Sequence, residues 1–382
     1  MDCTHTLACS QYTGIQRYVR RTVRHAAAQL GTRQVGLVVA DSRGRWTSRA
    51  CLPAHALEGL GALALEGPAG GQAVLDETTH VLLADRFWHT GQWEALAQLL
   101  QSRARITVVV YDLLSLRQPK WFAPGVGERF RRYLQQVLPR AQQVVCLSQV
   151  VARDLQDWVG EQGLQAPLAT VVTPGHRIWQ GAPVAPPALP KDWRDGSRPF
   201  VLQVGTIEPR KNHALTLAAL RMLWDQGSKL GALFLGQRGW LMDPFMEELS
   251  RLPQWQRQLL WLSECTDAQL DWCYRHAAAV FYPSANEGYG LPLAEAAGTG
   301  TPVIASDTAV HREVVRRLGK GAPVQLCQPL AQDMAQALQQ ALAGRHGAPG
   351  GGAVREWNVA TASLLEAIGL STAPAQRPPQ TV

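Results

Sequence analysis

The chain has 382 residues, of which 46% are hydrophobic and 18% charged, with a formal net charge of +7. That length accommodates two domains, each with its own core, and the apolar fraction excludes wholesale disorder. The basic excess favours acidic partners (nucleic acid, phosphorylated ligands or an anionic membrane surface) without choosing among them.

The seven cysteines form no C-x-x-C pair and are odd in number. This argues against a zinc site and a secreted disulfide framework, and for reduced thiols in a cytoplasm. Residues 1–10 lack the apolar core of a signal peptide, and no apolar run approaches the roughly 20 residues that a spanning helix needs.

In chain order, residues 15–30 predict a helix and 35–40 a strand. Further strands are predicted at 79–84, 106–111, 143–147 and 168–173, separated by helices at 92–101, 128–137 and 149–159. Such alternation implies a parallel sheet wound by right-handed crossovers. Residues 182–199 carry prolines at 183, 186, 187, 190 and 199, a density that sustains neither helix nor central strand and reads as a linker. The alternation then restarts, with strands at 200–204, 232–235, 259–262, 279–282 and 303–305. The helices of this second half are predicted at 213–225, 267–277, 292–299, 309–317 and 331–342. A Gly-rich loop is expected at 344–352, a last helix at 359–368 and a disordered tail at 371–382. Two such domains facing each other form a cleft at the carboxyl ends of their strands, where ligands of open α/β sheets bind.

The sequence lacks G-x-G-x-x-G after a strand, a P-loop, G-x-S-x-G, H-E-x-x-H and any D-x-D pair. Dinucleotide chemistry and the usual carboxylate pair for a metal on a sugar diphosphate are therefore not indicated. Two segments carry the positive case. In Val201-Leu-Gln-Val-Gly-Thr-Ile-Glu-Pro-Arg-Lys-Asn-His213, a strand ends at Gly205 and a short turn presents Arg210 and Lys211 just before a helix. A fork and a point charge beside a helix N-terminus suit a pyrophosphate, although a solvated basic turn has the same spacing. In Ala279-Val-Phe-Tyr-Pro-Ser-Ala-Asn-Glu-Gly-Tyr-Gly-Leu-Pro-Leu-Ala-Glu-Ala-Ala297, a strand runs into a Gly-rich turn and a helix with Pro292 in its first turn. Gly288 and Gly290 allow close backbone approach. Glu287 and Glu295 would repel a diphosphate, so their expected task is to accept hydroxyls on either side of it; a capped helix with a solvent-facing glutamate is the alternative.

Together, Gly205-Thr-Ile-Glu-Pro-Arg-Lys-Asn212 and Glu287-Gly-Tyr-Gly-Leu-Pro-Leu-Ala-Glu295 resemble the group 1 (family 4) retaining glycosyltransferases, the second segment being that family's E-x7-E element. Leu235-Gly-Gln-Arg-Gly-Trp240, Pro302-Val-Ile-Ala-Ser-Asp307 and Glu313 fit the same pattern. In the first half, Thr13-Gly-Ile-Gln-Arg17 and the segment 145–155 also fit. The resemblance implies an α/β GT-B fold of two doubly wound, Rossmann-like domains facing across a cleft. Their expected extents are an acceptor domain over 1–181, the linker 182–199, a nucleotide-sugar domain over 200–354, and a helix within 355–370 crossing back to the first domain.

It further implies that Arg210 and Lys211 bind the donor diphosphate and stabilise the leaving group, that Glu287 contacts the transferred sugar, and that Glu295 contacts the ribose. Gly205, Gly288, Tyr289, Gly290 and Leu291 would hold the donor through backbone approach, and Gly14 would sit near it from the first domain. Asp112 matches a family position and is a candidate catalytic residue, with a strand-end cap as its structural alternative. Tyr111 stands where many members carry His, so that histidine's part is not carried over. The opening strand has almost nothing before Asp2, so either it is short or the start site is misassigned. The implied reaction is retaining hexosyl transfer from a nucleotide-diphosphate sugar to a glycan or lipid-linked acceptor, without metal or other cofactor, in lipopolysaccharide, O-antigen or capsule assembly.

The helix at 15–30 gathers Arg17, Arg20, Arg21 and Arg24 on one side, a pattern suited to anionic lipid and to a cytoplasmic protein peripheral on the inner membrane face. A sheet-packing helix with a solvated basic face has the same pattern. Arg86, Trp88, His89 and Trp93 suggest either an acceptor pocket or core packing. The competing functions are an epimerase or hydrolase on the same fold, for which no general base is evident, a catalytically inactive sugar-nucleotide sensor, and a basic nucleic-acid-binding protein. For the last, no recognised module is present, so nucleic acid is not expected as a partner.

Overall fold

The computed structural model describes residues 1–8, 13–41, 43–49, 71–343 and 352–370. The tail expected at 371–382, and all but the last residue of the Gly-rich loop expected at 344–352, lie outside the described residues.

The first domain contains α1 (Thr4–Ala8), α2 (Gly14–Leu30), β1 (Leu37–Ala40), β2 (Trp46–Arg49), β3 (His80–Leu83), α3 (Trp93–Gln101), β4 (Arg105–Val110), α4 (Leu114–Arg117), α5 (Val126–Val137), β5 (Gln143–Cys146), α6 (Gln149–Glu161) and β6 (Ala169–Val171). Strands β3 to β6 form a parallel sheet in chain order. Residues 1–3 thread between β1 and β3. The Asp2 N–H donates to Leu82 O at 3.0 Å, and Val38 N–H donates to Met1 O at 3.0 Å. The expected short opening strand is thus a single bridging residue, Asp2.

The strand expected at 35–40 differs in one respect. It lies parallel to Asp2 on one side but pairs antiparallel with β2 on the other. The reason is local: Asp41 Oδ1 accepts from the backbone N–H of Arg43 and of Arg45, both at 2.9 Å, and Gly44 takes φ 73°. Such an aspartate-nucleated turn folds a hairpin where a crossover was expected.

The second domain holds α7 (Lys191–Arg194), β7 (Phe200–Val204), α8 (His213–Asp225), β8 (Gly231–Leu235), α9 (Asp243–Ser250), β9 (Leu259–Leu262), α10 (Asp267–His276), β10 (Ala279–Tyr282), α11 (Leu291–Gly298), β11 (Val303–Ser306), α12 (Ala309–Leu318), β12 (Val324–Cys327) and α13 (Ala331–Ala343). Every strand pairing is parallel, in the order β12-β11-β10-β7-β8-β9. All residues of β8 and β10 are buried, as a sheet covered on both faces requires. The edge strand β12 was not expected, because its residues are all partly or wholly exposed and lack the apolar run of the inner strands. The order reverses between β7 and β10, which makes the gap beyond their carboxyl ends the topological switch point.

The Pro-rich segment does not hang free. Trp193 is 1% exposed and stacks on Phe200 with ring centroids 5.1 Å apart. A Cβ at Gly231 would fall 2.3 Å from the Trp193 ring, so the glycine makes room for the indole. The last helix, α14 (Trp357–Ala367), returns to the first domain and packs on α2, with Trp357 edge-on to Tyr18 at 6.1 Å.

Candidate functional site

Beyond Val204 the chain turns at Gly205 (φ 144°), and Pro209–Lys211 form a 3-10 turn that ends at Asn212 in the left-handed region (φ 55°). The turn folds Lys211 back over Gly205: a Cβ there would lie 3.3 Å from Lys211 Cε. Seventy-odd residues later, the turn between β10 and α11 presents Glu287, whose N–H is fixed by Asn286 Oδ1 at 2.8 Å. The switch point brings the two turns together. Arg210 Nη1 donates to Glu287 Oε2 at 2.5 Å, and Lys211 Nζ to Glu287 Oε1 at 2.6 Å. Arg210 Nη2 also lies 2.6 Å from Glu208 Oε1, and Lys211 Nζ stands 5.4 Å from the centroid of the Tyr282 ring.

This pairing was not expected. Sequence reasoning assigned the carboxylates a task away from the cations, whereas in the structure Glu287 neutralises both. Burial opposes charge on Glu287, but Arg210 and Lys211 outweigh it and hold the carboxyl well below the usual range. Burial likewise lowers the Lys211 pKa, with Glu287 opposing. Burial works against the Arg210 charge too, and Glu287, Glu208 and Asp112 more than offset it.

The first domain closes over this centre. A Cβ at Gly288 would fall 2.0 Å from Tyr111 O, so the two backbones meet where only glycine fits. Ser148 Oγ donates to Gly288 O at 2.8 Å, and Glu313 accepts the N–H groups of Gln149 and Val150 at 2.8 and 3.0 Å, capping α6 from the opposite domain. Asp112 Oδ1 accepts Leu114 N–H at 3.0 Å, which makes it a turn cap, and it also faces the cleft. Burial raises its pKa and Arg210 opposes the rise. The Tyr111 hydroxyl donates to Ala84 O at 2.5 Å and is committed to the first domain's interior.

The cleft has a volume of about 940 Å³. Gly14, Asp112, Gly205, Arg210, Lys211, Glu287, Gly288, Tyr289, Gly290, Leu291 and Glu295 all line it. A Cβ on Gly14 would touch Leu291 Cδ1 at 3.6 Å across the gap. Gly290 takes φ 97° at the entrance to α11. Arg86, Trp88 and His89 lie on the first-domain wall; Trp93 is not part of the lining and instead stacks under Arg132 at 4.4 Å. Trp88 also serves the core, with its ring 4.5 Å from that of Phe130. Among the described residues, no three His, Cys, Asp or Glu side chains converge on a point that could hold a metal ion.

Glu295 is only 2% exposed. Tyr274 OH donates to its Oε2 at 3.0 Å, and Arg17 Nη1, from α2 of the other domain, to its Oε1 at 2.6 Å. Arg17 Nη2 reaches Asp267 Oδ1 at 3.3 Å, and Arg21 Nη2 reaches Asp267 Oδ2 at 2.7 Å. Most of the basic face expected to meet lipid is therefore turned inward: Arg17 and Arg20 are buried and Arg21 binds the second domain, while Arg24 is half-buried. The cause is coverage of α2 by α14 and by the second domain, which helical periodicity does not record. Sequence reasoning also missed Arg17, Tyr274, Asp267 and Glu208 as site residues. Arg17 had a readable signal, since it lies three residues after Gly14 and so on the same helix face.

Residues 189–348 match the family model described as glycosyl transferases group 1. The serotype-specific mannosyltransferase WbdA of Escherichia coli is 34% identical over 216 residues, covering 54% of this chain and 26% of that protein. The O-antigen chain mannosyltransferase B of Escherichia coli is 32% identical, over 37% of each chain. This chain thus spans well under half the length of these relatives. Among solved structures, the sucrose-phosphate synthase of Thermosynechococcus elongatus superposes with a TM-score of 0.64 at 18% identity, covering 96% of this chain and 97% of that one. Anabaena HepE, solved with UDP and glucose, gives a TM-score of 0.53 at 18% identity over 76% and 75% of the two chains. The architecture is the GT-B fold.

Proposed function

We propose that this chain, which over residues 189–348 belongs to the group 1 glycosyltransferases, transfers a hexose from a nucleoside-diphosphate donor to a polysaccharide acceptor, with retention and without a metal. The observation that carries the reading is the Arg210–Glu287–Lys211 cluster at the switch point, roofed by Asp112 and the Tyr111 backbone of the other domain. Mannose as the sugar and an O-antigen type of glycan as the acceptor follow from the names of the relatives.

In this mechanism the diphosphate takes the place of Glu287 on Arg210 and Lys211. The two cations then stabilise the negative charge that grows as the anomeric C–O bond breaks, without reorganising at that moment. The N–H groups that open α11, at Gly288 to Leu291, face the same anion, and the helix dipole adds to them. Released from the cations, Glu287 accepts hydroxyls of the transferred sugar, and Glu295 those of the ribose. Gly14 and Gly205 give the donor close backbone approach. The acceptor hydroxyl attacks the anomeric carbon on the face the diphosphate leaves. Its oxygen forms the new bond, and its proton passes to the departing phosphate oxygen. Asp112, across the cleft, stabilises positive charge developing on the sugar.

No described helix is long and apolar enough to cross a membrane. A lipid-linked acceptor would bring the protein to the inner face of the cell membrane through surfaces other than the inward-turned arginines of α2. Co-sedimentation with anionic vesicles at low salt tests that contact, and equal recovery with neutral vesicles counts against it.

The donor assignment is tested by thermal shift with GDP, UDP, ADP and dTDP and their sugar conjugates, with and without EDTA, on wild type and on Arg210→Ala/Lys211→Ala. A ligand at 100 times its Kd adds about 2.7 kcal/mol. The expected result is a shift selective for one nucleotide, unaffected by EDTA and lost in the double variant. Absence of any shift in folded wild-type protein would overturn the reading.

A further inference from the structure

Glu295 is supplied from two domains. Its partner Tyr274 belongs to its own domain, whereas Arg17 reaches it from α2, 278 residues away in the chain. Arg17 is held in turn by Asp267, which Arg21 braces from one helical turn further along α2. Arg21 also donates to Ile178 O at 2.7 Å. The sequence of contacts Tyr274–Glu295–Arg17–Asp267–Arg21 therefore crosses the cleft, and Arg17, Asp267 and Glu295 all line it.

A carboxylate that is to accept two vicinal hydroxyls must be ionised and fixed in orientation. Burial pushes the Glu295 pKa up, and Asp267 adds to the rise. Arg17 is the cation that opposes it, aided by the Tyr274 hydroxyl. The Cys265 thiol also lies near Glu295, and burial pushes it up to about 12, so it stays neutral.

We infer that Arg17 is a positioning residue for the donor's ribose: it holds the Glu295 carboxyl group aimed at the ribose diol, and it joins ribose recognition to closure of the two domains. This rests on the reading that the cleft binds a nucleoside diphosphate. The consequence is specific to the sugar of the nucleoside. Hydrogen bonds to a charged acceptor that are present in the ribonucleotide and absent from its 2′- and 3′-deoxy analogues set the discrimination between them. Arg17 should control that ratio, and not merely overall affinity.

The test measures Kd by titration calorimetry for the ribonucleoside diphosphate selected by the thermal-shift panel and for its 2′-deoxy and 3′-deoxy analogues. Proteins are wild type, Arg17→Lys and Arg17→Gln, each first checked by circular dichroism and melting. Wild type is expected to prefer the ribonucleotide by about tenfold or more. In Arg17→Gln the preference should fall to within about threefold, chiefly through loss of ribonucleotide affinity, and Arg17→Lys should recover part of it. Raising the pH should restore discrimination in Arg17→Gln as Glu295 ionises, and should change wild type less, because Arg17 opposes the rise in the Glu295 pKa. A purely structural role would weaken both nucleotides alike and leave the ratio intact; that outcome overturns the inference while the donor reading stands. Wild-type binding without any ribose preference overturns it as well. Failure of wild type to bind any nucleotide overturns the donor reading and this inference together.

Discussion

Replacing Glu287 with Gln tests the centre of the site. The carboxylate bridges two buried cations at 2.5 and 2.6 Å. Once it is neutral, Arg210 keeps Glu208, but Lys211 is left with the Tyr282 hydroxyl at 3.5 Å. Breaking a buried ion pair by removing one partner costs about 3–5 kcal/mol. Gln retains one acceptor oxygen, so the low end, about 3 kcal/mol, is expected. In a domain of this size each kcal/mol lowers Tm by about 2–4 °C, which gives a fall of about 6–12 °C by scanning calorimetry. The same substitution removes the group that a diphosphate must displace. The nucleoside diphosphate should therefore raise the Tm of Glu287→Gln by more than it raises that of wild type, while sugar transfer falls by about two orders of magnitude or more. A fall in Tm below about 2 °C would mean the pair is worth under about 1 kcal/mol. Together with a nucleotide response weaker than wild type, it would refute the claim that Glu287 competes with the anion for Arg210 and Lys211.

Three further outcomes are expected. Asp112→Asn keeps the oxygen that caps Leu114, so Tm should move by less than about 2 °C while kcat drops about 100-fold; an unchanged kcat would make Asp112 a turn cap alone. Gly288→Ala would place a Cβ 2.0 Å from Tyr111 O in the opposite domain. The domains can part without either unfolding, so activity should vanish with a small change in Tm and a larger radius of gyration by X-ray scattering, and wild-type scattering would count against this contact. Burial, with the neighbouring Asp85, raises Asp2 to about 7. A carboxyl whose folded pKa exceeds its unfolded value contributes stability that is fully present below about pH 4 and lost as pH rises through 7. Chemical denaturation should therefore show wild type losing stability between about pH 4 and 7, with Asp2→Asn flattening the loss; parallel pH profiles would remove Asp2 as the cause.

The sequence by itself determined the alternation of strands and helices, the division into two α/β domains and the turns at 205–212 and 287–291. Apolar runs and turn residues are local signals, and a parallel sheet imposes them strand by strand. It also marked Arg210, Lys211, Glu287 and Glu295, because the two segments that carry them match one family pattern together, although each alone has an ordinary structural alternative. It missed β12, whose half-exposed residues leave no apolar run, and it placed a strand at 35–40 without the antiparallel partner that the Asp41 turn folds onto it.

What only the tertiary structure decided is which charge meets which. Glu287 lies beside Arg210 and Lys211 because the strand order reverses between β7 and β10, and strand order is invisible to periodicity. Arg17 points at Glu295 and not at solvent because α14 and the second domain cover α2. Helical spacing records that four arginines share a face, but the free energy of each depends on what lies opposite, and that is fixed by contacts between residues hundreds of positions apart.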